Sequence, residues 1–170
     1  MAGRIAVGRR GRRAAVALVG LLTVTFATSC GGKSVPEIKG KLPLFPVKGK
    51  VMMDGQPMPG AIVILNPVFD FPAGAAQQRP RAKAEADGTF QLSTYANQDG
   101  APAGKYYVTV SWKGSGAGLS SEQLEDLPEK APESFQKPKT SKLIVQIKEG
   151  ENTLPTWDLA EFERQASNNP

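Results

Sequence analysis

From residue 47 onward, apolar and polar residues alternate in short runs, and Gly, Pro, Asp or Asn breaks the pattern about every ten residues. Val47, Gly49, Val51 and Met53 fall on one side of a period-two pattern and Lys48, Lys50 and Met52 on the other, which predicts a strand with one buried and one wet face. Asp54-Gly55 ends it, a pair that readily takes the positive φ values of a tight hairpin turn. Ala61 to Leu65 is unbroken apolar sequence and predicts a central strand covered on both faces. Phe90 and Leu92 alternate with Thr89, Gln91 and Ser93, and Tyr106, Val108, Val110 and Trp112 share a face opposite Lys105, Tyr107, Thr109 and Ser111. Leu143, Val145 and Ile147 alternate with Lys142, Gln146 and Lys148, while Pro155 demotes the last run, Asn152 to Leu159, to an edge or a bulge. The expectation is a single all-β domain over residues 47–160, a sandwich of about seven strands.

Two stretches interrupt the alternation, Pro67 to Pro80 and Gly114 to Lys139. In the second, Ser120 to Gln123 fits a capping box, and Leu124 and Leu127 predict one short helical turn before Pro128. Residues 161–170 read as a polar C-terminal tail. Upstream of the domain, Gly31 to Pro46 has Pro36, Pro43 and Pro46 among Gly and Lys and is expected as a flexible tether, extended by composition, that follows Cys30 in a segment 30–46. At ~3.1 Å per residue it reaches about 50 Å, less whatever Leu42, Leu44 and Phe45 dock onto the domain.

The beginning of the chain has another character. Arg4, Arg9, Arg10, Arg12 and Arg13 carry no acid among them and lead into the apolar run Ala14 to Ala27, the layout of a secretory signal peptide over residues 1–29. The run is shorter than the ~20 residues of a membrane-spanning helix. The two arginine pairs leave a twin-arginine export route open beside the general one. Ala27-Thr28-Ser29-Cys30 then resembles the lipobox of bacterial lipoproteins, in which the cysteine thiol takes a diacylglycerol and becomes the new N-terminus. An ordinary cleavage site with an incidental thiol is the alternative. Cys30 is the only cysteine of the chain, and an unpaired thiol in an exported protein otherwise lacks a use. The resemblance implies anchoring to a bacterial membrane through the N-terminal lipid; Gly31, and not Asp, follows the cysteine, so inner-membrane retention is not signalled and an outer membrane or cell surface is favoured.

Cleavage there changes the meaning of the charge. The precursor carries +5, but all five leader arginines are lost, so that 16 of 21 Lys+Arg remain against 16 Asp+Glu. A neutral mature chain gives no reason to expect a nucleic-acid partner.

Gly49-Lys50-Val51, Asp54-Gly55-Gln56-Pro57, Pro59-Gly60-Ala61-Ile62-Val63, Ala86-Asp87-Gly88-Thr89-Phe90-Gln91-Leu92 and Gly104-Lys105-Tyr106-Tyr107-Val108-Thr109-Val110 follow one another in the order of carboxypeptidase regulatory-like domains. Pro132-Glu133-Ser134-Phe135 and Gly150-Glu151-Asn152-Thr153 are similar to the closing part of that domain as it occurs in small bacterial lipoproteins. The resemblance covers about Val47 to Leu159 and implies a transthyretin-like β-sandwich. It departs at Leu154-Pro155-Thr156, where one residue is extra and leaves the last strand's register open. Tyr106, at the start of its strand, is placed either for a tyrosine corner or for an ordinary core role.

The chain holds no histidine. Ser-His and Cys-His catalysis and the usual zinc and iron ligand sets are therefore not expected. Enzymes that share the transthyretin-like sandwich use histidines in their sites, so the resemblance implies none of their activities here. Asp87, Asp99 and Glu85 are the remaining carboxylates of interest, but each lies at or near a turn without an apolar setting. Asp87-Gly88 and Asp99-Gly100 are expected as turns, since each supplies one carboxylate and calcium needs six to eight oxygens. No catalytic residue, metal ligand or cofactor is thus assigned. The expectation is a non-enzymatic interaction or scaffold module with an envelope protein or a glycan as partner. The alternative, a module that binds carbohydrate or wall polymer, has Tyr95 and Tyr107 as its aromatic candidates, Trp157 being expected in the core. An internal isopeptide from Lys48 or Lys50 to Asn152 is a third reading.

Overall fold

The structure is a computed structural model that describes residues 37–115 and 118–168; the expected leader, the lipobox residues Ala27, Thr28 and Ser29, and Cys30 lie outside the described residues. The strands are β1 (Val47–Met53), β2 (Gln56–Pro57), β3 (Ile62–Pro67), β4 (Arg81–Lys83), β5 (Thr89–Gln91), β6 (Gly104–Ser111), β7 (Ile144–Ile147) and β8 (Asn152–Asp158). The helices are α1 (Ser121–Glu125) and α2 (Leu159–Asn168), with a single 3-10 turn at Glu133–Phe135. Two four-stranded sheets result. In one, β1 is antiparallel to β2 and β5 on one side and parallel to β8 on the other; the other has the antiparallel order β4-β3-β6-β7. The all-β sandwich expected from the alternation is what the chain forms.

Its core lies between the sheets and is made by the alternate residues read from the sequence. Val51, Val63, Leu65, Leu92, Val108, Val110 and Ile147 are fully buried, and the rings of Phe90 and Trp157 meet with centroids 5.5 Å apart. Tyr106 is buried too, and its hydroxyl donates to the Pro102 carbonyl at 2.9 Å, four residues back, as a tyrosine corner does. Burial pushes its phenol well above the ordinary value. Asp54 (φ 49°) and Gly55 (φ 73°) make the tight turn, with Met53 paired to Gln56 across it. At β8 the pairing steps from Lys48↔Thr153 to Lys50↔Thr156, three residues against two, so the extra residue around Leu154-Pro155 is a bulge on an edge strand.

Four expectations need correction. Ala61 to Leu65 is central in its sheet but not covered on both faces: Ile62 is 37% exposed and Ile64 half-buried, because only one face of this sheet meets the other sheet. Trp112, expected in the core with Tyr106, Val108 and Val110 whose face it shares, is half-buried just past β6, with its indole N–H donating to the Pro59 carbonyl at 3.0 Å and the Lys130 ammonium 5.7 Å from its ring. Residues 161–168 are no loose tail but most of α2, which buries Leu159, packs Phe162 on the core and pairs Arg164 with Asp54 at 2.7 Å. The tether is docked from Gly40 on: Gly40 O accepts from Ala76 N at 2.8 Å, and Phe45 exchanges both backbone hydrogen bonds with Ala101.

Asp158 joins the two ends of the fold. Its carboxylate accepts from the amides of Asp54 (3.1 Å) and Gly55 (2.6 Å) in the β1–β2 turn and from those of Ala160 (3.1 Å) and Glu161 (3.3 Å) in the first turn of α2. Burial pushes this carboxyl up, but the four amides outweigh it and hold it below the usual range. In the long insertion, Glu129 acts likewise, taking hydrogen bonds from Ser111 Oγ, Trp112 N, Lys130 N and Ala131 N that outweigh its burial. The capping box of α1 forms as expected between Ser120 and Gln123.

Candidate functional site

The hairpin from β4 to β5 ties one sheet to the other. Arg81 N donates to Ser93 O and Ser93 N to Arg81 O, and Glu85 N donates to Thr89 O. This antiparallel register sets Arg81 beside Ser93, Lys83 beside Gln91 and Glu85 beside Thr89, all on the outer face. The row continues in both directions, with Ile62 on β3 opposite Lys83, Lys48 on β1 opposite Gln91, and Thr153 on β8 opposite Lys48. Five strands thus present one transverse band of side chains to solvent. At ~4.8 Å between strands the band is about 19 Å long.

Two open depressions lie along it, of about 670 and 340 Å³, and they share Glu85, Gln91 and Gln98, so they form one trough. The loop from Ser93 to Gly100 walls one end. Asp99 shapes that loop by accepting from the amides of Thr94 (2.6 Å), Tyr95 (2.9 Å) and Ala96 (2.6 Å). Behind it Gly100 (φ 94°) presses on the docked N-terminal segment: a Cβ there would stand 2.0 Å from Phe45 O. At the other end the β8 bulge brings Leu154 and the hydroxyls of Thr153 and Thr156 to the rim.

Arg81, Lys83, Glu85, Gln91, Asn97 and Gln98 are exposed in this trough, and their side chains enter no hydrogen bond or ion pair with other described residues. Their donors and acceptors face solvent as a set. The cations Lys48, Lys50, Arg81 and Lys83 line it against the single carboxylate of Glu85, with Lys48 held by Glu151 at 2.6 Å.

Of the two aromatic candidates, Tyr95 lines the trough. Its hydroxyl accepts from Leu42 N at 3.2 Å and donates to Ala76 O at 3.1 Å, and the Lys41 ammonium stands 5.8 Å from its ring. Tyr107 is elsewhere, half-buried on the outer face of β6 between Asn66 and Ile144, so the structure does not bring the pair together. Trp157 is in the core, as expected. Asp87 accepts from Thr89 Oγ1 (2.7 Å) and Thr89 N (3.0 Å), bonds that hold its carboxyl below the ordinary value with help from Lys50. Each of the two aspartates therefore closes its own turn. The Asn152 amide is spent on the 148–152 turn through Lys148 N, Lys148 O and Gly150 O. The nearby Lys48 turns to Glu151, which leaves the isopeptide reading without its geometry. Sequence reasoning missed the trough cations and amides; the available signal was the pair of i, i+2 cations on two wet strand faces, Lys48/Lys50 and Arg81/Lys83.

No protein-family model matches the chain. No curated protein matches it either. Among solved structures, the chain is similar to a DUF3823 family protein from Parabacteroides merdae ATCC 43184, with 14% identity and a TM-score of 0.32 over 67% of this chain and 45% of that one. The chain thus spans under half the length of that protein.

Proposed function

We propose that this protein is an exported, non-enzymatic lipoprotein, anchored to a bacterial membrane through lipidated Cys30, whose carboxypeptidase regulatory-like sandwich serves as an interaction module of the envelope. The anchor rests on Ala27-Thr28-Ser29-Cys30, and the observation that carries the module reading is the trough, where six exposed polar or charged side chains have no hydrogen-bond or ion-pair partner among the described residues. Catalytic sites hold titratable groups in environments that shift their pKa. Here the shifted carboxyls, Asp87, Glu129, Glu151 and Asp158, are bound up in turns, latches and a surface ion pair. A trough of amides and cations is equipped to bind. The same amides favour the second reading, a glycan or wall-polymer ligand, because a side-chain amide both donates and accepts and so matches a hydroxyl.

The test is photocrosslinking in intact cells, with a crosslinking residue placed at Gln98 in the trough or at Lys105 outside it. The module reading expects an adduct with an envelope component from Gln98 and none from Lys105. Equal crosslinking at both sites, or none at Gln98, refutes it.

A further inference from the structure

The ligand class can be taken further, on the basis of the binding-module reading. We propose that the trough binds a linear acidic polysaccharide, with carboxylates on Arg81, Lys83 and Lys50 and ring hydroxyls on Gln91, Gln98 and Glu85.

Charge is the first argument. From Cys30 onward the chain carries equal numbers of cationic and acidic residues, yet the trough is lined by four cations and one acid; Lys48 is paired with Glu151 and Lys50 lies near Asp87, while Arg81 and Lys83 enter no ion pair among the described residues. The charges are sorted on the surface, and a cationic trough recruits an anion. Spacing is the second. Arg81 and Lys83 are two residues apart on one strand, about 6.7 Å, while Lys50, opposite Thr89 on the next strand but one and two residues further along, is about 12 Å from Lys83. An extended polymer with a carboxylate on each ring, or on alternate rings, meets cations placed at such intervals.

The third argument separates a polysaccharide from other polyanions. Glu85 and the amide oxygens of Gln91, Gln98 and Asn97 are acceptors on the same surface as the cations. Phosphodiesters and carboxylates cannot satisfy them, but sugar hydroxyls donate to acceptors while the acid groups take the cations. Single-stranded nucleic acid wants aromatic platforms, and the only aromatic rings lining the trough are Tyr95 and the buried Phe90. An acidic peptide would bind by extending a strand edge, whereas the trough runs across strand faces and meets an edge only at β8, where the bulge interrupts the pairing pattern.

The test uses the full chain in non-ionic detergent, by native electrophoresis in gels containing polygalacturonate or neutral hydroxyethylcellulose and by titration with oligogalacturonate, polyglutamate or a single-stranded oligodeoxynucleotide. Expected are retardation by polygalacturonate alone and tightest binding to oligogalacturonate. An Arg81→Gln, Lys83→Gln double variant should bind oligogalacturonate about tenfold or more weakly, the loss of two charge-assisted contacts, while Lys105→Gln is unchanged. Gln91→Ala with Gln98→Ala should weaken oligogalacturonate binding but leave the weak, salt-sensitive binding of polyglutamate as it was. Three results overturn the proposal: equal binding of the neutral polymer, equal binding of polyglutamate or the oligonucleotide, or unchanged affinity in the Arg81, Lys83 variant. If polysaccharide binding fails but trough crosslinking in cells persists, the ligand class is wrong and the module reading stands; if both fail, both fall.

Discussion

Replacing Asp158 tests how the fold is closed. Its carboxylate serves two elements at once, the β1–β2 turn and the start of α2. Loss of a helix N-cap typically costs about 1 kcal/mol. The Asp54 and Gly55 amides each lose a bond to a charged acceptor, but in an exposed turn water replaces much of it, leaving about 0.5–1 kcal/mol apiece. Asp158→Ala should therefore destabilise by about 2–3 kcal/mol, which for a domain of this size lowers Tm by about 8–12 °C. Asp158→Asn keeps one acceptor oxygen and should lose about half of that. The pH dependence has a definite sign. Because the folded carboxyl lies below its unfolded value of about 3.9, its contribution is fully present above that value and is lost as the pH falls through the folded pKa. Differential scanning calorimetry of wild type and Asp158→Asn should then give a constant Tm gap from neutral pH to about pH 5, narrowing below about pH 4. A gap under about 2 °C for Asp158→Ala at neutral pH, or an Asn gap that persists undiminished in acid, refutes the reasoning.

Phe90→Ala and Trp157→Ala should each cost about 3–5 kcal/mol in urea unfolding, against little for Lys105→Ala, since the first two rings pack on each other in the core and Lys105 is exposed. Half-buried Trp112→Ala should fall between them, and equal effects in all four would contradict the face assignments. Gly88→Val should lower Tm far more than Asp87→Asn, because Gly88 has φ 81° and an added Cβ would stand 2.5 Å from Val51 O; the midpoint should be the same in chelator and in millimolar calcium. Labelled fatty acid should enter the wild-type protein and not Cys30→Ala, and a wild-type chain that takes no label and leaves the membrane in a salt wash would remove the anchor.

Strand faces could be read from the sequence where a side chain's neighbours are its own i±2 residues. Phe90, Leu92, Val108 and Val145 all face inward as their alternation requires, and Asp54-Gly55 and Pro155 punctuate the chain where turn chemistry and the missing proline donor say they must. Ile62 and Ile64 escape this logic because an unbroken apolar run hides which face is which, and only the second sheet decides it. Asp158 looks like any surface aspartate, since its partners at Asp54 and Gly55 are about a hundred residues away in the chain. The trough was hidden for the same reason. Lys48, Lys83 and Gln91 each sit on a wet strand face, and their assembly into one band depends on cross-strand register, a long-range property that no local pattern carries.

The parallel pairing of β1 with β8 gives the molecule a mechanical direction. A load drawn through the N-terminal end of β1 runs along the strand axis, so the bonds from Val47 to Met52 are loaded together in shear instead of opening one by one. Ahead of β1 the docked segment is held at separate points, Gly40 to Ala76, Leu42 to the Tyr95 hydroxyl and Phe45 to Ala101, which can be peeled in sequence. The second of these is on the wall of the trough. If the chain is held through its N-terminus, as proposed, tension on this segment meets the Tyr95 hydroxyl before it meets β1, and loss of that one hydrogen bond would release a side chain of the trough wall while the sheets stay paired.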